Sequence, residues 1–373
     1  LEEAVELDPN FTRALAELSG HLSFANNWLE NNPEEIRQAE DILEKLRVLA
    51  PDSPDHLIAQ AYYSMYVVKD YEQTYEIITR AERKAPSDLK ILNMKTWVLR
   101  RMGRHADRPE VFRKIIKLDP KNTGTSGALI GSLLITHDYE QAWQVLENAP
   151  FDGLAHEDYR NMMTWARSGD FDLYMSELMS MMEEHPSEFN AWQTWEFTMW
   201  SRDYDAAVEL IEPIRRPDRE DLPGLGGYRA AKVLTYFMLD ESELLQQAIE
   251  EANQHFIDSR VLELAEEEAG LNLDLALLEL TRGNKEEVIR RVRQWRRLAE
   301  SDATDLIANR NTSCQSLAMS GAAAEAVECL RTGFTQPSWT WSFLEPHLPW
   351  YDSIRDTPEF GELLAEIENG AFH

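Results

Sequence analysis

Two prolines, Pro86 and Pro120, lie 34 residues apart and constrain this chain more than any other feature. The segment between them is typical of two amphipathic helices joined by a turn at Gly103. The predicted buried faces of the two helices consist of Leu92, Thr96, Leu99, Phe112 and Ile115. Neither helix can bury its apolar face alone, so the unit requires stacked neighbours. A period of 34 residues is typical of helix–turn–helix repeat arrays.

Further repeat units precede and follow this segment. The turn sequence DYEQ occurs at residues 70–73 and again at 138–141, each time at the start of an amphipathic segment that ends in a proline. Pro9 and Pro51 are 42 residues apart, so we expect an insertion at residues 26–32, with Asn32 and Pro33 as the start of the next helix. At 373 residues the chain is long for one globular core, which favours an elongated all-α array.

The strongest break in the pattern is RRPDREDLPGLGGY at residues 215–228, where prolines and glycines cluster as in a loop or hinge. We therefore predict an array over residues 1–214, a break over 215–228, and degenerate helical repeats over 229–373. The final segment, YDSIRDTPEFGELLAEIE, predicts an amphipathic helix that caps the array.

The segments AVELDPNF, KLDPKN and the two DYEQ blocks are similar to the tetratricopeptide repeat (TPR) superfamily over most of residues 1–214, and more weakly to residue 332. The resemblance implies a right-handed superhelical solenoid of helix pairs. The order of repeats also resembles the C-terminal TPR region of bacterial signalling proteins that carry a cyclase or winged-helix domain, often with a TolB-like segment. The chain begins with what resembles the end of a repeat's second helix, so we expect a longer protein.

Composition excludes several classes of partner. The chain has 67 acidic and 37 basic residues, a formal charge of −30, which repels nucleic acid and anionic lipid. No apolar run approaches the roughly 20 residues of a membrane span, so we expect no membrane insertion. The compartment stays open, with the cytoplasm favoured over the periplasm.

Two cysteines, Cys314 and Cys329, flank a predicted turn at Gly321. In an antiparallel helix hairpin they would lie at similar depth, and a disulfide would form if their Cα atoms came within about 7 Å. Cys314 occupies a position where a TPR requires a small residue for close helix packing. We therefore expect free thiols.

No motif for catalysis, a cofactor or a metal occurs in the sequence. The Gly-rich stretch 224–227 follows a proline-rich loop rather than a strand, and the nine histidines show no HExxH spacing. The acidic run Glu263–Glu268 is interpreted as a solvated helix face, and we expect the basic stretch RRVRQWRR at 290–297 to pair with it. We therefore predict that the chain is not an enzyme.

In TPR arrays the first helix of each pair lines a concave groove. Matching this chain to those positions selects Tyr62, Met65, Tyr66, Asn93, Trp97, Arg100, Arg101, Tyr159, Met163, Arg167, Gln193, Phe197 and Trp200. Aromatic, Met and Arg side chains are enriched in binding sites, although the aromatic members could instead form the core between repeats. The arginines favour binding of an acidic peptide or a carboxylate terminus, because unpaired cations are rarely buried.

The sequence therefore predicts an interaction scaffold or regulatory module of a bacterial signalling protein. Its partner would be a peptide, another protein or a second copy of the chain, bound in the concave groove. The alternative function is a small-ligand sensor with a pocket near residues 217–228, where two helical segments could form a hinge.

Overall fold

The computed structural model describes residues 1–25, 32–149, 160, 163–164, 170–186, 190–216, 223–300 and 302–372. Within these ranges the regular elements are helices and no strand occurs, which confirms the all-α prediction. Most of the predicted insertion at 26–32 lies outside them. The chain forms two compact units, Leu1–Pro150 and Phe151–His373. This division falls inside the 1–214 segment that the sequence assigns to one array.

The first unit is a series of helix hairpins in which helices that are consecutive in sequence pack against each other. Helix α2 also contacts α4, and α4 contacts α6, so the first helices of successive pairs are neighbours. The helices are α1 (Glu2–Leu7), α2 (Thr12–Ala25), α3 (Pro33–Leu49), α4 (Pro54–Tyr63), α5 (Tyr71–Lys84), α6 (Leu89–Arg101), α7 (Arg108–Leu118), α8 (Thr123–Ile135) and α9 (Tyr139–Asn148).

Local sequence explains where these helices begin and end. The side chain of Asn32 accepts a hydrogen bond from the amide of Glu34 and starts α3, as predicted. Other first turns are capped in the same way by Ser53, Asp70, Asp88, Asn122 and Asp138. Each such cap stabilises its helix by about 1 kcal/mol. Gly103 makes the predicted turn after α6 at a φ of 71°, a conformation that glycine adopts without strain.

The hairpin of α6 and α7 has the predicted core. All five residues of its predicted apolar faces are buried: Leu92, Thr96, Leu99, Phe112 and Ile115. A π-helical turn, Ser64–Val68, extends α4 and ends at Lys69, whose φ is 61°. This wide turn carries Met65 and Tyr66, and both are buried against α5 and α6.

The second unit is also built of helices packed on their sequence neighbours, with additional contacts between elements further apart. Its described helices are α10 (Phe171–Glu184), α11 (Ala191–Trp200), α12 (Tyr204–Glu209), α13 (Ile211–Ile214), α14 (Gly226–Leu239), α15 (Ser242–Asp258), α16 (Val261–Leu264), α17 (Leu271–Thr281), α18 (Lys285–Ala299), α19 (Ala303–Met319), α20 (Ala323–Thr335) and α21 (Pro358–Glu368). The amphipathic helix predicted at the end of the sequence is α21.

The cysteines correct one expectation. Cys314 on α19 and Cys329 on α20 form a disulfide, with their Cα atoms 5.4 Å apart, so the prediction of free thiols is wrong. The turn at Gly321, with a φ of 74°, folds α19 and α20 into a hairpin and brings the two cysteines opposite each other. A small buried side chain at position 314 satisfies the packing requirement equally well when it is half of a disulfide.

No helix in the described ranges is long and apolar enough to cross a membrane. Among the same residues, no group of three or more His, Cys, Asp or Glu side chains is placed to hold a metal ion.

Candidate functional site

The predicted groove residues fall in both units. Seven lie in the first unit: Tyr62, Met65, Tyr66, Asn93, Trp97, Arg100 and Arg101. Met163, Gln193, Phe197 and Trp200 lie in the second. Tyr159 and Arg167 lie outside the described residues.

Aromatic side chains of the first unit pack where α2 meets α4. The rings of Tyr62 and Tyr66 stack with centroids 6.2 Å apart, and Phe24 meets Tyr66 edge-on at 5.1 Å. A Cβ atom at Gly20 would lie 2.9 Å from the Tyr62 ring, so this glycine permits close contact between the helices. Burial raises the pKa of Tyr62 to about 12. Together with the buried Met65, these residues serve mainly to join the repeats.

Trp97 differs from these aromatics because 40% of its surface is exposed. It projects from α6, a helix in which Ile91, Leu92, Met94, Val98 and Leu99 are buried. Arg100 and Arg101 follow it in the last turn, and Arg100 is exposed. Cations are favourable at this end of a helix because the carbonyl groups there carry partial negative charge. An exposed indole beside two guanidinium groups matches the composition of binding hot spots.

Two further side chains at this end of α6 escaped the sequence analysis, His105 and Arg108. They are only 1% and 7% exposed. The Arg108 guanidinium lies 5.2 Å from the centre of the Phe112 ring and makes no hydrogen bond or ion pair with any residue the structure describes. Neither ring nitrogen of His105 has a hydrogen-bond partner in the part of the chain that the structure describes. Polar groups this deeply buried normally have partners.

Burial and neighbouring positive charge both lower the pKa values of this cluster. Burial and, to a smaller extent, the positive charges of Arg108 and Arg100 together lower the pKa of His105 to about 4. Burial likewise lowers the pKa of Arg108 to about 10, with Arg100 adding to the effect. No carboxylate offsets either shift. His105 is therefore neutral near pH 7, and Arg108 carries an uncompensated charge beside Arg100.

The sequence does contain one signal for the unusual position of Arg108, which is the proline that follows it at position 109. Proline is favoured in the first turn of a helix, so Pro109 fixes the start of α7 at Arg108. A cation in the first turn is disfavoured by the helix dipole, and a buried one more so. The side chain of Asp107 does not cap this helix and instead accepts a hydrogen bond from Arg104 Nε at 2.7 Å.

Arg13 also escaped the sequence analysis, but its charge is neutralised. Its Nη1 atom lies 3.3 Å from Oδ1 of Asp55 and 2.9 Å from Oδ2 of Asp88, and its Nε atom lies 3.3 Å from Glu17. The network joins α2 to the first turns of α4 and α6. These three helices are therefore tied side by side, which distinguishes the structural Arg13 from the unpaired Arg108.

The predicted residues of the second unit have mixed roles. Met163 is fully buried. Gln193 forms a capping box with Asn190 at the start of α11, so it already has a structural role. Phe197 and Trp200 are half-buried, and their ring centroids lie 5.1 Å apart. The predicted residues described in this unit therefore do not form a polar cluster like the one at His105 and Arg108.

The alternative pocket was predicted near residues 217–228, of which 217–222 lie outside the described residues. At the described end of this segment, Leu225 is buried in the core of the second unit. The hydroxyl of Tyr228 donates a hydrogen bond of 2.6 Å to Glu212. A pocket in this segment stays a prediction.

No protein-family model matches the sequence, and no curated protein is significantly similar to it.

Proposed function

We propose that this chain is a protein-interaction module that binds an acidic segment of a partner beside the C-terminal end of α6. In this proposal the helix hairpins form a TPR-like solenoid, as the sequence resemblance implies. The module would be the regulatory part of a bacterial signalling protein. The consecutive packing of α2 to α9 supports the solenoid.

The observation that carries the proposal is Arg108, which is 7% exposed and whose Nε atom is buried without a hydrogen-bond partner among the described residues. Burying a charge without a partner costs several kcal/mol, and a carboxylate supplied by a partner would offset that cost through charge-assisted hydrogen bonds. The neutral ring of His105 could donate a further hydrogen bond to the same group. A chain with a formal charge of −30 would otherwise repel an acidic segment, so this local excess of positive charge gives specificity.

Trp97 supplies the apolar part of the proposed site. Its exposed indole would lose most of its contact with water under a bound peptide, and such an anchor contributes about 2 kcal/mol or more to binding. The proposed ligand is therefore a peptide with one apolar anchor beside one or more carboxylates.

The test uses fluorescence polarisation with pooled labelled 12-residue peptides, each containing four Asp or Glu residues and one Leu or Phe. The intact chain is compared with the variants Trp97→Ala and Arg108→Met. We expect both variants to bind at least tenfold more weakly. Methionine at position 108 removes an unpaired buried charge, so this variant should also unfold at a higher temperature than the original chain.

Trp192, which is 37% exposed and lies in the second unit, provides the matched control. Trp192→Ala should leave the affinity unchanged. Retention of full affinity by a folded Trp97→Ala, Arg100→Ala, Arg101→Ala triple variant would overturn the proposal. Equal binding of peptides with Asn and Gln in place of the acids would also contradict it.

A further inference from the structure

The second unit contains a cavity of about 330 Å³ between α18, α19 and α20. This volume is within the usual range for small-molecule sites. Most of the lining is apolar, and the disulfide half Cys329 forms part of it. Because the disulfide joins α19 to α20, two of the three walls are fixed to each other. The principal apolar lining residues are Ile289, Val292, Trp295, Leu306 and Leu317.

Two hydrogen-bond donors in this lining have no acceptor among the residues described. Trp295 is 3% exposed, and its Nε1 atom is buried without a partner. The Nε atom of Arg310 is also buried without a partner, whereas its Nη2 atom donates to Gln336 at 3.3 Å. Both unsatisfied groups are donors, so the missing group is a hydrogen-bond acceptor.

The charge around the cavity favours an anionic acceptor. Arg293 and Arg296 also line it, and neither forms an ion pair or hydrogen bond among the described residues. Burial lowers the pKa of Arg310, and the positive charge of Arg296 lowers it further.

The arginines of residues 290–297 were expected to pair with the acidic run Glu263–Glu268. The charge of Glu266 does act on Arg290, but no ion pair joins the two segments among the described residues. Arg290 and Arg291 instead bind Glu287 on their own helix. Glu263 pairs with the adjacent Arg260. Arg293 and Arg296 of the same stretch therefore stay available at the cavity.

We propose that this cavity binds an amphipathic monocarboxylate, with its carboxylate at Arg310 and its hydrocarbon chain against Val292 and Leu317. A carboxylate accepts charge-assisted hydrogen bonds from the guanidinium and from the indole of Trp295. The chain is favoured because it removes apolar surface from water. Glu325 and Glu328, which line the α20 side, disfavour a second negative charge and so select against polyanions.

The test uses isothermal titration calorimetry of the full chain with sodium decanoate, kept below the concentration at which micelles form. We expect saturable binding of decanoate, and at least tenfold weaker binding of decanol and of decanedioate. Decanol lacks the charge, and decanedioate would place a second carboxylate against the apolar wall. This proposal concerns a different unit from the proposed peptide site, so neither result depends on the other.

Substitutions in the cavity lining test whether decanoate binds there. Arg310→Gln should weaken decanoate binding at least tenfold, and Trp295→Phe should weaken it by a smaller factor, because it removes only the N–H donor. Arg297→Gln is the control: Arg297 is exposed on the same helix and bonds to Gln294. Unchanged binding by a folded Arg310→Gln variant, equal affinity for decanol, or no binding of decanoate would each overturn the proposal.

Discussion

The main-chain amide of Leu225 donates a hydrogen bond of 3.0 Å to Oδ2 of Asp274, a residue 49 positions later in the chain. Burial raises the pKa of Asp274 to about 6, and the bond from Leu225 limits this rise. The contact fastens the end of the proline-rich and glycine-rich segment to α17. It also explains the glycine at position 224, where the chain passes close to the Asp274 carboxyl group.

Substitution of Gly224 tests this contact. Its φ is 90°, and a Cβ atom there would lie 2.5 Å from Oδ2 of Asp274. We expect Gly224→Ala to destabilise the second unit by about 1–3 kcal/mol, because the backbone is strained and the carboxyl must move. Hydrogen–deuterium exchange of residues 223–230 measures the effect. Gly270→Ala is the control, since a Cβ atom at Gly270 meets no atom within 4 Å and the backbone is helical; equal exchange in both variants would contradict the interpretation.

The buried carboxyl group of Glu345 should make the free energy of unfolding depend on pH. Its carboxyl group is buried and accepts hydrogen bonds from Tyr351 Oη at 2.7 Å and from Gln315 Nε2 at 3.3 Å. Burial raises the pKa of Glu345 from 4.5 to about 7 despite these bonds, and the charge of Glu196 adds to the increase. The folded chain therefore retains a proton that the unfolded chain releases, and the free energy of unfolding falls as the pH rises from 4.5 to about 7.

We expect Glu345 to account for a loss on the order of 3 kcal/mol in the free energy of unfolding of the second unit. Urea denaturation of the chain at pH 5 and pH 8 measures it. Glu345→Gln should reduce the difference without abolishing it, because glutamine does not titrate but burial also raises the pKa of Asp274 to about 6 and that of Glu196 to about 7. Glu359→Gln on the exposed face of α21 should leave the difference intact. A difference that is undiminished in Glu345→Gln would assign the whole effect to other groups.

The Cys314–Cys329 disulfide should stabilise the second unit. It joins residues 15 apart in sequence, and a loop of that length corresponds to about 3 kcal/mol. Reduction should therefore lower the denaturant concentration at the unfolding midpoint. The double variant Cys314→Ser, Cys329→Ser should show the same loss and no response to reductant. A midpoint that is equal with and without reductant would show that the bond contributes nothing.

Arg13 should stabilise the first unit through its contacts with Asp55 and Asp88. We expect Arg13→Met to cost about 1–2 kcal/mol, because two partly buried carboxylates lose their cation. Arg37→Met should cost less than about 0.5 kcal/mol, because Arg37 is exposed and pairs only with Glu34 on its own helix. Urea denaturation compares the two variants, and equal costs would indicate that the network adds no stability.

Features that depend on residues close in sequence could be predicted from the sequence. Asn32 and Pro33 marked a helix start, Gly103 marked a turn, and the spacing of Leu92, Thr96 and Leu99 identified a buried face. Which of the predicted groove residues face solvent could not be predicted from the sequence. Tyr66 and Trp97 were assigned to the same groove, yet one is buried and the other is exposed. Residue type alone does not distinguish an aromatic that joins two repeats from one that faces solvent.

The sequence by itself determined the all-α class and the α6–α7 hairpin, because apolar periodicity, capping residues and turn glycines act within a few residues of each other. Only the tertiary structure decided that Arg108 Nε is buried without a partner among the described residues, that Cys314 meets Cys329, and that Arg310 and Trp295 line one cavity. Burial and pairing depend on which side chains the packed helices bring together, and helix periodicity carries no information about those distances.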